Sequence, residues 1–321
     1  MAEPALVVGL GEVLWDMLPS GNVLGGAPAN FAYMANVLGD RGIVASRVGC
    51  DELGREACSA MQALGLDTSY VQQDEIHETG SANVSIDPMG QPNFTIKKPV
   101  AWDFMEWTSS WEDLSTRADV VCFGSLAQRS SISAATIEQF LLKLRKNALK
   151  VFDANLRQSF YSQELLCRSF QYADIAKINE QELLEVAVLL KLGSGTEEIV
   201  SRRLLREFDL KLVCLTRGAR GSLLVSEDQT VEHQGFQVEV ADAIGAGDAF
   251  AACLVHDFLR GNSLVEISER ANRFASWVAT QTGATPSISS PELQSIIGGN
   301  PTEVKIVRSR NGMRDGDQGV L

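Results

Sequence analysis

Residues 242–250 of this 321-residue chain read "DAIGAGDAF", and the apolar run "AACLVHDFL" follows at once. Two aspartates, Asp242 and Asp248, flank a turn built from Gly245, Ala246 and Gly247. A glycine-rich turn that opens a helix leaves backbone N–H groups free to hold an anion, and the helix dipole adds to the attraction. A carboxylate in the first helical turn, Asp248, could then take a proton from a nucleophile lying beside that anion. The same residues also suit a plain connecting loop, with glycine for the turn and aspartate as a helix cap. Local sequence supports both readings equally.

Other stretches carry similar double meanings. "LGGAPANFAYMANVLG" (24–39) places Gly25, Gly26, a proline and Asn30 at the start of a helix. Proline in a first turn and small residues for packing explain it structurally. Functionally, the glycines let a ligand approach the backbone, while the Asn30 amide both donates to and accepts from hydroxyls. Asp16, on the strand before, could accept from two neighbouring hydroxyls, and the three together would make a polyol site. "AKINEQE" (176–182) ends a strand with Asn179 and Glu182. The pair reads as a capping box, or as oxygens holding the waters of a magnesium–phosphate complex, as hard cations prefer. "DANLR" puts Asp153, Asn155 and Arg157 at another strand end, where ligands gather in open α/β sheets. "LTRGARGSLL" (215–224) reads as strand, glycine turn and strand, and that turn could also lie along a nucleotide. "GLGEVL" half-resembles a dinucleotide fingerprint, but Leu14 occupies the third glycine position. No Gly-Lys pair occurs, so there is no Walker A loop.

These residues need a scaffold, and its rhythm is visible. "ALVVGLG", "DVVCFGS", "LKVFDAN", "DIAKIN" and "KLVCLTRG" are short, apolar and partly β-branched, as buried parallel strands are. Between them, "PANFAYMANVLG", "LGREACSAMQALG", "SAATIEQFLLKLRKN", "NEQELLEVAVLLKLG" and "TEEIVSRRLLREF" carry apolar residues at helical spacing. The alternation predicts an α/β domain with a mainly parallel central sheet and helices in layers, over 1–11, 25–79 and 99–297. Residues 12–24 and 80–98 break it with strand-like alternation, and "DPMGQP" suits a hairpin turn. They are expected to form antiparallel strands of a small protruding sheet, a lid. Residues 298–321 read as a polar, loosely held tail.

Bulk properties exclude several classes. Forty-one acids against 28 bases give a net charge of −13, which repels nucleic acid and anionic lipid. No apolar run reaches the ~18 residues of a membrane span, and "MAEPALVVGL" lacks the features of a signal peptide. The six cysteines are scattered without a Cys-x-x-Cys, and the three histidines are not at ligand spacing. A cytoplasmic protein with reduced thiols is expected.

"GGAPAN", Asn-x-x-Glu, "TRGARG" and "DAIGAGD" occur in the order and spacing of the ribokinase-like (PfkB) carbohydrate kinases, and the resemblance covers about residues 5–295. The form "GEVLWDMLP…GGAPANFA" is most similar to the fructokinase branch. The resemblance implies a three-layer α/β/α fold with a β lid, and ATP-dependent phosphorylation of a sugar hydroxyl, with Mg²⁺ accompanying ATP. It implies Asp248 as catalytic base and the amides of Gly245, Ala246 and Gly247 as the anion hole. Asp16, Gly26 and Asn30 would hold the sugar. Asn179 and Glu182 would face the magnesium–phosphate region, Thr216, Gly218 and Gly221 the nucleotide, and Asn272 the adenine side. A monovalent-cation loop, for K⁺, aligns with Asp242, Ile244, Val278, Gln281, Gly283 and Ser287. The departure is Ala243 with Ile244, where the family often carries threonines. The resemblance also suits a homodimer formed through the lid. Within the same branch, 2-keto-3-deoxygluconate or a nucleoside would be the alternative acceptor. A non-catalytic sugar- or nucleotide-binding relative would have no need of Asp248.

Overall fold

The computed structural model describes residues 3–18, 21–86, 92–299 and 304–308. Ten strands form the main sheet: β1 (Leu6–Leu10), β4 (Arg41–Gly49), β5 (Val71–Asp74), β8 (Val120–Gly124), β9 (Leu149–Asp153), β10 (Ile175–Asn179), β11 (Leu212–Thr216), β12 (Ser222–Val225), β13 (Gln229–His233) and β14 (Val304–Arg308). Their order is β14-β13-β12-β11-β10-β9-β8-β1-β4-β5. All pairs from β11 to β5 are parallel, and the β11-β12-β13-β14 edge is antiparallel. The central strands are short apolar runs because both faces are covered, as parallel sheets require.

Side chains alternate between two cores. Val8 and Leu10 of β1 face the cluster completed by α3 (Ser109–Arg117), α4 (Ser131–Lys143), α5 (Gln163–Tyr172), α6 (Glu180–Leu189) and α7 (Glu197–Glu207). Val7 faces the other cluster, completed by α1 (Ala27–Val37), α2 (Glu52–Ala63), α8 (Ala246–Leu259), α9 (Leu264–Ala279) and α10 (Ser290–Ile297). The result is the expected three-layer arrangement. Phe140, Phe152 and Phe170 are fully buried in the first cluster, each contributing on the order of 2–3 kcal/mol. Most helices begin where the sequence supplies a cap: Asp51, Thr108, Ser162, Thr196 and Ser263 each accept a first-turn N–H. Helix α8 differs, since it begins at Gly245 with no side-chain cap.

A separate four-stranded sheet holds β2 (Leu14–Leu18), β3 (Gly21–Gly25), β6 (Gly80–Ile86) and β7 (Pro92–Ile96) in the order β3-β2-β6-β7. The two segments expected as a lid thus form one sheet, but its central pair, β2 with β6, is parallel rather than antiparallel. The reason is topological: β1 and β5 run in the same direction, so the strands that continue from them leave the core from the same edge. The "DPMGQP" turn lies, apart from Pro92, outside the described residues. The expected tail is corrected in part, because β14 adds to the antiparallel edge through β13. No helix among the described residues is long and apolar enough to cross a membrane.

Candidate active site

The chain runs from β1 to β4 and β5 on one side of the sheet, then returns to β8 on the other. Such a reversal leaves a crevice at the carboxyl ends of the strands. A cavity of about 480 Å³ lies there. Glu12 follows β1, Asp153 ends β9, Asn155 and Arg157 follow it, Asn179 ends β10, Thr216 ends β11, and all of them line the cavity. The small sheet contributes Asp16 from β2, the turn before α8 contributes Ile244 and Gly245, and the first turn of α8 contributes Gly247 and Asp248.

Two glycines fix the walls. Gly26, at φ +116°, caps α1, and a Cβ there would stand 2.5 Å from the Glu12 carbonyl oxygen. Gly245, at φ +79°, presses against Ala284, where a Cβ would meet the carbonyl oxygen at 2.6 Å. Only glycine takes both the backbone conformation and the close approach. Helix α8 therefore starts flush with the cavity floor. Its first-turn amides have no partner within the helix, so those of Gly247 and Asp248 can serve a bound anion.

Asp248 is partly buried in the cavity wall, and its Oδ2 accepts a 2.8 Å hydrogen bond from Asn30 Nδ2. Burial and the nearby Asp153 anion push its carboxyl up to about 6, while Lys177, Asn30 and Arg157 oppose the shift. It is ionised at neutral pH yet holds a proton more firmly than an ordinary aspartate. Lys177 donates to both Asp153 oxygens, at 2.9 and 2.8 Å. Burial works against its charge, but Asp153 and Asp248 hold its ammonium above the usual lysine range. Asp16 is pushed upward by burial, with Arg157 opposing. The cavity thus runs from Asp16 on β2 to Lys177, Asp248 and the first-turn amides of α8.

Comparison with known proteins settles what this arrangement belongs to. A family model for the pfkB family carbohydrate kinases matches residues 20–291. The chain belongs to that family. Among its curated relatives, the kinase is 30% identical to a fructokinase of Vibrio alginolyticus over 310 residues, covering 90% of this chain and 97% of the relative. An uncharacterized sugar kinase from Pyrococcus horikoshii, solved in complex with ATP, is 26% identical with a TM-score of 0.76, covering 90% of this chain and 97% of that one. A fructokinase double mutant from Vibrio cholerae, solved with fructose, ADP and potassium ion bound, shares the fold at 23% identity. Its TM-score is 0.78, and the match covers 92% of this chain and 99% of that one.

The structure brings most of the kinase's expected site residues to one cavity, and places others elsewhere. Asn179 and Glu182 make the capping box: Asn179 Oδ1 accepts from the Glu182 N–H and Glu182 Oε2 accepts from the Asn179 N–H. Glu182 Oε1 also accepts from the Leu156 N–H at 2.9 Å, so this buried carboxylate ties two strand ends together beside the cavity. Capping and cavity lining hold at once. Ala246 begins α8, but its N–H leans on the Ala243 carbonyl at 3.4 Å, leaving Gly247 and Asp248 as the better-placed amides. Gly218 opens a short 3-10 turn after β11, and Gly221 ends it, buried, with its carbonyl accepting from the Arg217 N–H.

Asn272 is bonded within the fold. It is 5% exposed, and its Nδ2 donates to Ser222 Oγ at 2.8 Å and to the Ser268 carbonyl at 2.7 Å. The first bond joins α9 to β12 and the second stays within α9, so both amide hydrogens are taken inside the fold. Of the cation-loop residues, Asp242 joins two loops, accepting from the Ile244 N–H at 2.9 Å and the Gly283 N–H at 3.2 Å. The Val278 carbonyl accepts from the Gln281 N–H, the Gln281 amide donates to Thr280 Oγ1, and Ser287 is exposed. Glu12 and Lys177 were not singled out from sequence. "LGEVL" and "IAKIN" offer only the faint signal of a charge inside an apolar run.

Proposed function

We propose that this kinase phosphorylates the 6-hydroxyl of fructose with ATP, using Asp248 as general base. The observation that carries the reading is Asp248 itself. Its carboxylate sits in the first turn of α8, held by Asn30 from the lid-facing helix, with free helix amides on one side and Asp16 across the cavity. Asp16 and Asn30 both line the cavity and offer a sugar's hydroxyls acceptors and a donor. The sugar hydroxyl gives its proton to Asp248 while its oxygen bonds to the γ-phosphorus and the bridging P–O bond to ADP breaks. In such a loose transition state the protein mainly positions reactants and steadies charge. The amides at α8 and the Lys177 ammonium supply that positive potential. The lid closes over the acceptor and keeps water, the competing nucleophile, away.

Mg²⁺ fits as a partner of the ATP phosphates, neutralising their charge. Among the described residues no cluster of three His, Cys, Asp or Glu could cage it, so Asn179 and Glu182 would meet it through water. A K⁺ ion would sit at the loops that Asp242 joins, held mostly by carbonyls. The lid's outer face would form a homodimer, and the enzyme would work in the cytoplasm.

A second acceptor class is favoured by one residue. Arg157 lines the cavity and makes no close ion pair among the described residues, so a sugar acid such as 2-keto-3-deoxygluconate would find a partner there. A coupled ADP-release assay over ketoses, aldoses, sugar acids and adenosine separates the readings. Fructose should give the highest kcat/KM. A tenfold preference for another acceptor, about 1.4 kcal/mol in the transition state, would overturn the assignment to fructose.

A further inference from the structure

Glu12 is a carboxylate that the phosphoryl transfer, as written with Asp248, leaves idle. It follows β1 in the middle of the sheet, is 3% exposed, and its Oε2 has no hydrogen-bond partner among the described residues. Leaving a buried carboxyl oxygen unpaired forfeits its full hydration. Other buried carboxylates are paired: Asp153 is held by Lys177, and Asp40 by His256 and Arg260. A small cavity lies against Glu12, bounded also by Asp248, Asp153 and Asn155, and its volume of about 10 Å³ is room for one water's centre. A water there has the two to four polar neighbours it needs.

We propose that Glu12 is a positioning residue for phosphoryl transfer: through one water in this cavity, Glu12 and Asp248 act as a single carboxyl pair, and the charge on Glu12 sets how tightly Asp248 holds the proton of the sugar hydroxyl. This role rests on Asp248 being the base. The charged groups facing Glu12 are few. Asp248 comes from α8, Asp153 from β9 with Lys177 of β10 bound to it, and Arg157 from the loop after β9. Cys122 of β8 also borders the cavity, and burial keeps its thiol neutral. Burial lifts Glu12 to about 7, with Asp248 and Asp153 raising it and Arg157 opposing, while Asp248 itself stands at about 6. Two interacting carboxyls with such values lose their protons in two steps that belong to the pair. The first comes mainly from Asp248. Loss of the second, from Glu12, leaves an anion beside Asp248 and makes it the stronger base. When the hydroxyl proton reaches Asp248, the water offers it a path to Glu12, so the proton stays inside the pair until the product leaves.

The test is a carboxyl ¹³C NMR titration of the free protein, labelled at Asp and Glu, for wild type, Glu12→Gln and Asp248→Asn. Coupling predicts that Asp248→Asn lowers the Glu12 midpoint from about 7, and that Glu12→Gln abolishes the upper ionisation while Asp248, which titrates first beside a neutral Glu12, keeps its midpoint at about 6. In turnover, Glu12→Gln should remove the upper of two ionisations from the acid side of the kcat/KM profile, and Glu12→Asp should restore it. A purely structural Glu12 would move neither midpoint nor limb. A Glu12 midpoint that is the same in Asp248→Asn as in the wild type overturns the proposal. If Glu12→Gln does not fold, Asp248→Asn reads the same coupling from the other side. The titration needs no sugar, so it reads the coupling equally well if the acceptor is not fructose.

Discussion

Replacing Asp248 by asparagine should damage catalysis and help the fold at the same time. Asparagine matches aspartate in size, and its side-chain oxygen can still accept from Asn30 Nδ2 at the 2.8 Å position. What it cannot do is take a proton, so kcat should fall by roughly 10²–10⁴, the range of a positioned acid–base group. Affinities for sugar and ATP should change little. Stability moves the other way. Burial raises the Asp248 carboxyl from 3.8 to about 6 in the folded state, so the native protein binds that proton more tightly than the unfolded chain does. Stability from this group is therefore present at low pH and lost as pH climbs from about 4 to about 6. That difference corresponds to about 3 kcal/mol. Above pH 7 the substitution should accordingly leave Tm unchanged or raise it by several degrees, a gain that fades toward pH 4. Steady-state kinetics and thermal melts at pH 5, 7 and 8 measure both quantities. A well-folded Asp248→Asn protein with near-normal kcat would refute the base assignment. A large loss of Tm at pH 8 would refute the electrostatic reasoning.

Other substitutions separate chemistry from scaffolding. Glu182→Gln loses one capping interaction and should cost about 0.5–1 kcal/mol, and the magnesium concentration for half-maximal rate should also rise. An unchanged magnesium curve would leave Glu182 a cap alone. Asp242→Asn weakens the tie between the 242–244 and 281–283 loops, so its kcat defect should shrink as potassium is raised. A defect indifferent to potassium would argue against a cation there. Asn272→Ala strips the buried donors facing Ser222 and Ser268 and should cost about 1–3 kcal/mol in a denaturant melt, with KM for ATP within twofold. A tenfold rise in that KM with unchanged stability would return Asn272 to the nucleotide site.

Much of this was readable from the chain, and the failures have physical reasons. Strands β1, β8, β9, β10 and β11 announce themselves because burial on both faces demands unbroken apolar runs. Strand β4, "RGIVASRVG", mixes arginine and serine into its run, and β5, "VQQD", is half-polar at the sheet edge, so neither stands out. "DAIGAGD" is legible because turn chemistry is local: the glycines answer to φ and close approach at Gly245. Glu12 and Lys177 are not legible in that way. A lysine inside β10 looks like an anomaly until Asp153, 24 residues earlier, is found against it. Asn272 is no more legible: that Ser222, fifty residues earlier, takes one of its amide hydrogens cannot be read from its neighbours in the chain. The parallel pairing of β2 with β6 was hidden for a related reason, since register between distant hairpins is set by where their strands leave the core.

Transfer from ATP to a sugar hydroxyl at the Asp248 cavity is tested most directly by ³¹P NMR. Wild-type protein is incubated with ATP, Mg²⁺ and fructose, and the fate of the γ-phosphoryl group is followed. The expected products are ADP and an equal amount of fructose 6-phosphate, with almost no inorganic phosphate, and the rate should fall at least a hundredfold, in line with the range for an acid–base group, in Asp248→Asn. Release of inorganic phosphate in place of a sugar phosphate, or ATP left intact with every sugar offered, would contradict a kinase working through Asp248.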